Sequence, residues 1–177
     1  MRHLLGNLAT YAIAVFLLAG AAVFATVRSS QVVITDEAAV LARYQPEPGA
    51  PFRWEALGSG SYKRNCMNCH AEDGAGWDQY PGLANSADLY TAAGGREYMI
   101  DLHLYGLTSE RWRAPMPPMS HLHDIEMAAV INYVITRFGD GGRFTHADLL
   151  RPEDIAARRG AGLSPHEVDR RRPLPSR

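Results

Sequence analysis

A single lysine, Lys63, stands against 17 arginines, and only two cysteines occur in 177 residues. The arginine excess is compatible with codon bias and carries no functional reading by itself. The cysteine scarcity excludes more. A structural zinc site needs about four ligands at compatible spacings. Here there is no second C-x-x-C, and His121 and His123 are separated by one residue. A thioredoxin-like pair would need a βαβ pattern around its cysteines, and the flanks read as helix and Gly-rich loop. No two Asp/Glu residues stand at a spacing that demands acid–base chemistry. A formal net charge of −1 argues against general nucleic-acid binding. With 46% hydrophobic and 21% charged residues, the chain has a globular composition.

What is present is concentrated in Cys66-Met67-Asn68-Cys69-His70. This is C-x-x-C-H, the attachment pattern of c-type haem. Two thiols three residues apart can each bond one vinyl carbon of the same porphyrin. The histidine that follows lies beneath the iron and supplies an axial nitrogen. Both cysteines are thereby used. A second iron ligand is expected downstream, and Met116, in Ala114-Pro115-Met116-Pro117-Pro118-Met119, is placed to be it.

Leu4 to Val27 holds 24 residues without a charge. As a helix it would be about 36 Å long, against a hydrocarbon core of roughly 30 Å. The sequence predicts an uncleaved transmembrane anchor over 1–28, because a signal peptide's apolar stretch is shorter. Arg2 favours an internal N-terminus. The rest would then be exported to the periplasmic side of a bacterial inner membrane. Residues 29–51 read as a linker, with a short helix over 35–44 stopped by Pro46-Glu47-Pro48-Gly49. A helix is expected from about Phe52 to Cys69, with Gly58 and Gly60 marking close backbone approach. Residues 71–95 read as loop, and 98–105 as a short helix stopped by Gly106. The segment around Pro115, Pro117 and Pro118 is extended. The last clear helix runs from Asp124, as its N-cap, to Phe138, and Gly139 ends it.

Over 52–142 these residues resemble the class I cytochromes c. The family's G-x-x-x-[FY]-x-x-x-C-x-x-C-H is matched by Gly58, Tyr62, Cys66, Cys69 and His70. A Gly-rich turn, Asp73-Gly74-Ala75-Gly76, precedes Pro81 and Leu83, and Met116-Pro117 precedes the last helix, which carries Tyr133. The resemblance implies an all-α fold around one covalent haem c. In it the Pro81 carbonyl accepts from the proximal histidine, Leu83 touches the haem, and Met116 is the axial sulfur. Tyr133 packs near the first helix's glycine. Met119 is a second methionine in the same loop. Histidine plus methionine fills both axial positions, and a thioether stabilises ferrous iron. Leu83, Leu102, Leu104 and Ile131 would keep water away. Trp112 and Arg113 are candidates to hydrogen-bond a haem propionate. His103, His121, His123, His146 and His166 are read as surface residues, and Trp77 and Tyr80 as loop packing.

Residues 143–177 fall outside the resemblance. From 141 onward there are 8 Arg and 5 Asp/Glu, a net of +3, whereas 29–140 carries 8 Lys/Arg and 14 Asp/Glu, a net of −6. Pro152-Glu153-Asp154-Ile155 and Pro165-His166-Glu167-Val168 form a weak repeat, and Ser164 to Glu167 fits a capping box. Two short helices are expected, as a solvated extension or an arm docking a partner. Apolar residues are too few for an amphipathic membrane helix. The expected function is a membrane-anchored monohaem electron carrier serving a membrane-bound redox complex, or a fixed subunit of one in a respiratory or photosynthetic chain. The alternative is a haem c enzyme or sensor in which Met116 leaves and opens the iron to peroxide or a diatomic gas.

Overall fold

The structure, a computed structural model, describes residues 37–139 and 141–173 together with Tyr11, Ile13, Val15, Phe16, Leu17 and Ala19. It divides into two compact units, residues 1–40 and 41–177. In the first unit, the described positions from Tyr11 to Ala19 are helical and exposed. Most of the expected span over 4–27 lies outside the described residues. No helix among those described is long and apolar enough to cross a membrane.

The described elements are helical, and their only β-type pairings are isolated bridges. In order they are α1 (Glu37–Ala42), α2 (Glu55–Asn65), α3 (Met67–His70), α4 (Ser86–Thr91), α5 (Gly95–Tyr105), α6 (Asp124–Arg137), α7 (Pro152–Ala156) and α8 (Pro165–Arg170). Single 3-10 turns occur at Gly141–Arg143 and Arg159–Ala161.

The fold centres on the crossing of α2 and α6. α6 is apolar almost all round, burying Ile125, Met127 to Ile131, Val134 and Ile135, as a helix enclosed by its neighbours must be. Gly58 permits the crossing. A Cβ there would stand 2.3 Å from the Ala129 carbonyl oxygen and 2.9 Å from the Tyr133 Cβ. The expected approach of glycine to Tyr133 is therefore met. Gly60 faces only the flexible tip of Arg64, at 3.3 Å, so close approach belongs to Gly58 alone. The N-cap of α6 is His123 rather than Asp124, with extended backbone at ψ 152°. Asp124 lies in the first turn, where its charge suits the helix dipole, and it pairs with Arg159 at 2.5 Å.

The helix expected over 52–69 is broken at Cys66, whose backbone (φ −118°, ψ −36°) leaves ideal helix, and resumes as α3. The loop expected over 71–95 contains α4, six residues too short to give a periodic signal. α5 begins at Gly95, three residues earlier than expected, and stops at Gly106, whose φ of 78° favours glycine.

Two domain boundaries differ from expectation. The linker does not last to residue 51, because Leu41 is buried in the core and Tyr44 packs on it. The C-terminal segment is not a separate extension. Leu149, Leu150 and Ile155 join the main core, and Val168 is buried in a second cluster with Tyr98 and Leu107. Both expected short helices form, and the Ser164 capping box is present, with Ser164 N–H donating to Glu167 Oε2 at 2.8 Å and Glu167 N–H to Ser164 Oγ at 3.3 Å. Their apolar faces, however, are turned onto α5 and α6. The side chain of Asn132, fully buried on α6, pairs with both backbone groups of Leu150: Nδ2 donates to its carbonyl at 2.9 Å, and its N–H donates to Oδ1 at 2.8 Å. Arg158 forks onto the buried Asp101 carboxylate, with Nε 2.8 Å from Oδ1.

Candidate functional site

α3 and the loop behind it form one rigid unit. The His70 N–H donates to the Cys66 carbonyl at 2.9 Å, so the histidine side chain follows one turn after the first cysteine. Tyr62, 1% exposed, donates its hydroxyl to the Ala71 carbonyl at 2.5 Å and packs on Phe138 and Tyr133, with ring centroids 4.8 and 5.5 Å away. Burial pushes the Tyr62 phenol's pKa upward, keeping it a donor. The chain then turns back on itself. Gly76 N–H reaches the His70 carbonyl at 2.9 Å and Leu83 N–H reaches the Gly74 carbonyl at 2.8 Å. A Cβ on Gly76 would meet the Tyr80 carbonyl oxygen at 2.5 Å. This close packing brings the Pro81 carbonyl within 2.9 Å of His70 Nδ1. A carbonyl can only accept, so Nδ1 carries the proton and Nε2 keeps its lone pair.

A cleft enclosing about 1200 Å³ of empty space, including its open mouth, collects the chemistry. Cys66, Cys69, His70, Pro81 and Leu83 line one part of it; Trp112, Met116 and Met119 line another. Of the expected site residues only Arg113 is missing from the wall, being exposed to solvent. Cys66 is 5% exposed, and burial, followed by the neighbouring Cys69, pushes its thiol up to about 12. The two cysteines form no disulfide.

The methionines differ in what they touch. Met119 is 6% exposed and built into the core, its N–H donating to the His103 carbonyl at 2.8 Å. Met116 is half-buried and faces the cleft. Its backbone is clamped by paired hydrogen bonds with Leu107, both 2.9 Å, and by Gly106, where a Cβ would meet the Met116 carbonyl oxygen at 2.6 Å. Leu83 and Leu102 are only partly buried, since both face the cleft, whereas Leu104 and Ile131 are fully enclosed.

The residues present suit a haem. Among the described residues no group of three or more His, Cys, Asp and Glu side chains could hold a bare metal ion. One nitrogen and one thioether sulfur instead serve a metal already held in a macrocycle. No carboxylate lines the described wall, and two thiols stand beside the histidine.

Sequence reasoning missed several wall residues. His103 is not a surface histidine: it is 4% exposed, its Nδ1 is 2.7 Å from the Met99 carbonyl, and burial pushes its pKa down to about 4. Its spacing from Met99, one helical turn, was the available signal. His121, His123, His146 and His166 are exposed as expected. Tyr80 lines the cleft, while its neighbour Trp77 is 57% exposed rather than packed, its Nε1 donating to the Asn68 carbonyl at 3.2 Å. Arg172 also reaches the wall, and no local pattern announced it.

Residues 55–137 match the family model for cytochrome c. The chain is also similar to cytochrome c-552 of Thermus thermophilus, with 32% identity over 111 residues, covering 58% of this chain and 85% of the relative. A second cytochrome c-552, from another strain record of Thermus thermophilus, shows 32% identity over 111 residues and is covered over 75% of its length.

Proposed function

The chain belongs to the class I cytochrome c family and binds covalent haem c, and from that premise we propose that it is a membrane-anchored electron carrier with His70 and Met116 as axial ligands. Electron transfer follows from the family. The observation supporting this ligand pair is that His70, its Nε2 left available by the Pro81 carbonyl, shares one cleft with the clamped, half-buried Met116.

Haem c supplies a one-electron ferric/ferrous couple. The chain's own residues hold it and set its surroundings. Cys66 and Cys69 each provide a sulfur for a thioether. The Pro81 carbonyl fixes the imidazole's tautomer and increases its basicity. Leu83, Leu102 and Met99 give the wall an apolar lining, which limits water near the iron. A site with both axial positions filled has none open for substrate, so no catalytic residue is assigned.

Denatured protein should retain its colour on a gel, because thioethers survive unfolding. Cys66→Ala or Cys69→Ala should cripple maturation. Release of haem from wild-type protein by acid–acetone would refute covalent attachment. A ferric spectrum of high-spin iron would refute the ligand pair and favour a gas- or peroxide-binding site.

The anchor rests on the uncharged run from Leu4 to Val27. It confines the carrier to the membrane plane, raising its effective concentration near a membrane-bound redox complex, with the haem unit on the periplasmic side. Cell fractionation tests this directly: the full chain should pellet with membranes, and a chain lacking residues 1–28 behind a cleavable signal should be soluble and haem-loaded. Recovery of the full chain in the soluble fraction would overturn it.

A further inference from the structure

A haem brings two carboxylates into its cleft. An anion placed against a low-dielectric wall is costly unless a cation or donors meet it. Among the described residues lining the cleft there is one guanidinium and no lysine, and the guanidinium is that of Arg172.

Arg172 arrives by long-range folding. Val168, fully buried against Tyr98 and Leu107, seats α8 on α5. The Thr108 N–H donates to the Pro165 carbonyl at 3.4 Å, and Arg111 pairs with Asp169 at 3.1 Å. The next turn carries Arg172 over the Tyr98 ring, 5.9 Å from its centroid, with Nη1 3.4 Å from the Tyr98 hydroxyl. Its neighbours in the C-terminal segment are committed elsewhere: Arg143 to Asp88, Arg151 to Glu153, Arg158 and Arg171 to Asp101, and Arg159 to Asp124. Arg172 makes no ion pair among the described residues. It is a held cation, resting on an aromatic face, beside a cleft that receives an anionic group.

We propose that Arg172, carried back by the C-terminal segment, is the positioning residue that meets a haem carboxylate and raises the reduction potential of the bound haem. The inference rests on the haem reading above. The direction follows from charge. Ferric haem carries one more positive charge than ferrous haem, so a fixed cation nearby disfavours the ferric state. Arginine suits the task because its planar fork matches a carboxylate. Trp112 stays available as a second donor on the same wall, whereas Arg113 points away from it.

The test is equilibrium redox titration of the full-length holoprotein, with covalent haem content measured first by pyridine haemochrome. R172M keeps an unbranched side chain against Tyr98 and removes the charge. It should load haem normally and shift the ferric/ferrous equilibrium toward ferric by about three- to tenfold, the upper value being about 59 mV for one electron. R172K should recover most of the shift. Equal potentials for R172M and wild type at full haem content would overturn the proposal. If R172M does not mature, the haem carboxylate bands in the resonance Raman spectra of wild type and R172K decide. A shift between the two supports direct contact, and identical, water-like bands refute it. Absence of covalent haem from wild type would instead overturn the functional reading.

Discussion

Asn132→Ala should cost about 3 kcal/mol of stability, although the residue touches neither cysteine nor ligand. Asn132 and Leu150 are both fully buried, and the Asn132 amide completes both backbone groups of Leu150, at 2.8 and 2.9 Å. Alanine would strand one N–H and one C=O inside the core, at about 1–3 kcal/mol each. Some relief comes from local adjustment of the segment that carries Leu150, hence a value in the lower half of that range. Against a typical total of about 5–15 kcal/mol this is a large fraction. Guanidinium unfolding of the haem-loaded protein, followed by haem absorbance, should show a lower midpoint with a similar slope. Limited proteolysis should show faster cleavage after Arg151 and Arg158. Thr145→Ala is the control, since its bonds to Asp148 are exposed, and should cost under about 0.5 kcal/mol. An Asn132→Ala loss as small as the control's would refute docking of residues 143–173 on the core.

Gly58→Ala sets two effects against each other: alanine gains about 1 kcal/mol of helix propensity, but its Cβ would stand 2.3 Å from a backbone oxygen of Ala129. Backbone cannot swing aside, so a net loss of about 2 kcal/mol is expected, and a raised thermal midpoint would refute the contact. His103 titrates near 6.5 when unfolded and at about 4 in the fold. The contribution is therefore intact above pH 6.5 and is lost progressively as pH falls toward 4, by about 3 kcal/mol. His103→Gln should flatten that part of the pH–stability profile, and an unchanged acid branch would sink the assignment. Met116→Ala should abolish the long-wavelength methionine–iron band and lower the potential, whereas Met119→Ala should keep the band and cost about 2–4 kcal/mol of stability. The reverse pattern in ferric spectra would move the ligand to Met119.

What was legible in the sequence is what local chemistry forces. C-x-x-C-H fixes the thiols and histidine within one helical turn, Gly58 and Tyr62 repeat on the helix before it, and Met116 sits among prolines that bar helix. Each signal spans a few residues and needs no knowledge of distant chain. The Ser164 capping box and the stop at Gly106 are equally local. The misses share the opposite property. α4 is one and a half turns long, so its apolar pattern never repeats. His103 looks like any polar residue in a short helix until α6 and the methionine loop close over it. Leu149, Leu150, Ile155 and Val168 are scattered among charges, too sparse to read as a packed face, yet each is buried. Their burial depends on partners far back in the chain, such as Asn132 and Tyr98, and no spacing rule links them.

The charge split shows why the C-terminal segment was misread. An acidic head and a basic tail suggested an arm reaching toward another molecule, but the same charges are complementary within one chain. Asp101 lies on α5 between Ile100 and Leu102 and is almost wholly buried. Left alone, such a carboxylate would be costly. Arg158 closes on it with both arms of its fork, and Arg171 approaches at 3.8 Å. Arg159 combines Asp124 with the carbonyls of Ser120, at 2.8 Å, and Leu122, at 2.5 Å. In the other direction, Arg96 of α5 reaches Asp154 of α7 at 2.8 Å and the Asp148 carbonyl at 2.7 Å. These are multi-donor contacts that an ammonium could not reproduce. The arginine bias, uninformative as composition, therefore acquires a structural use once the segment is folded back. Net charge over a segment measures what it would attract in isolation; burial decides whether that attraction is already satisfied at home.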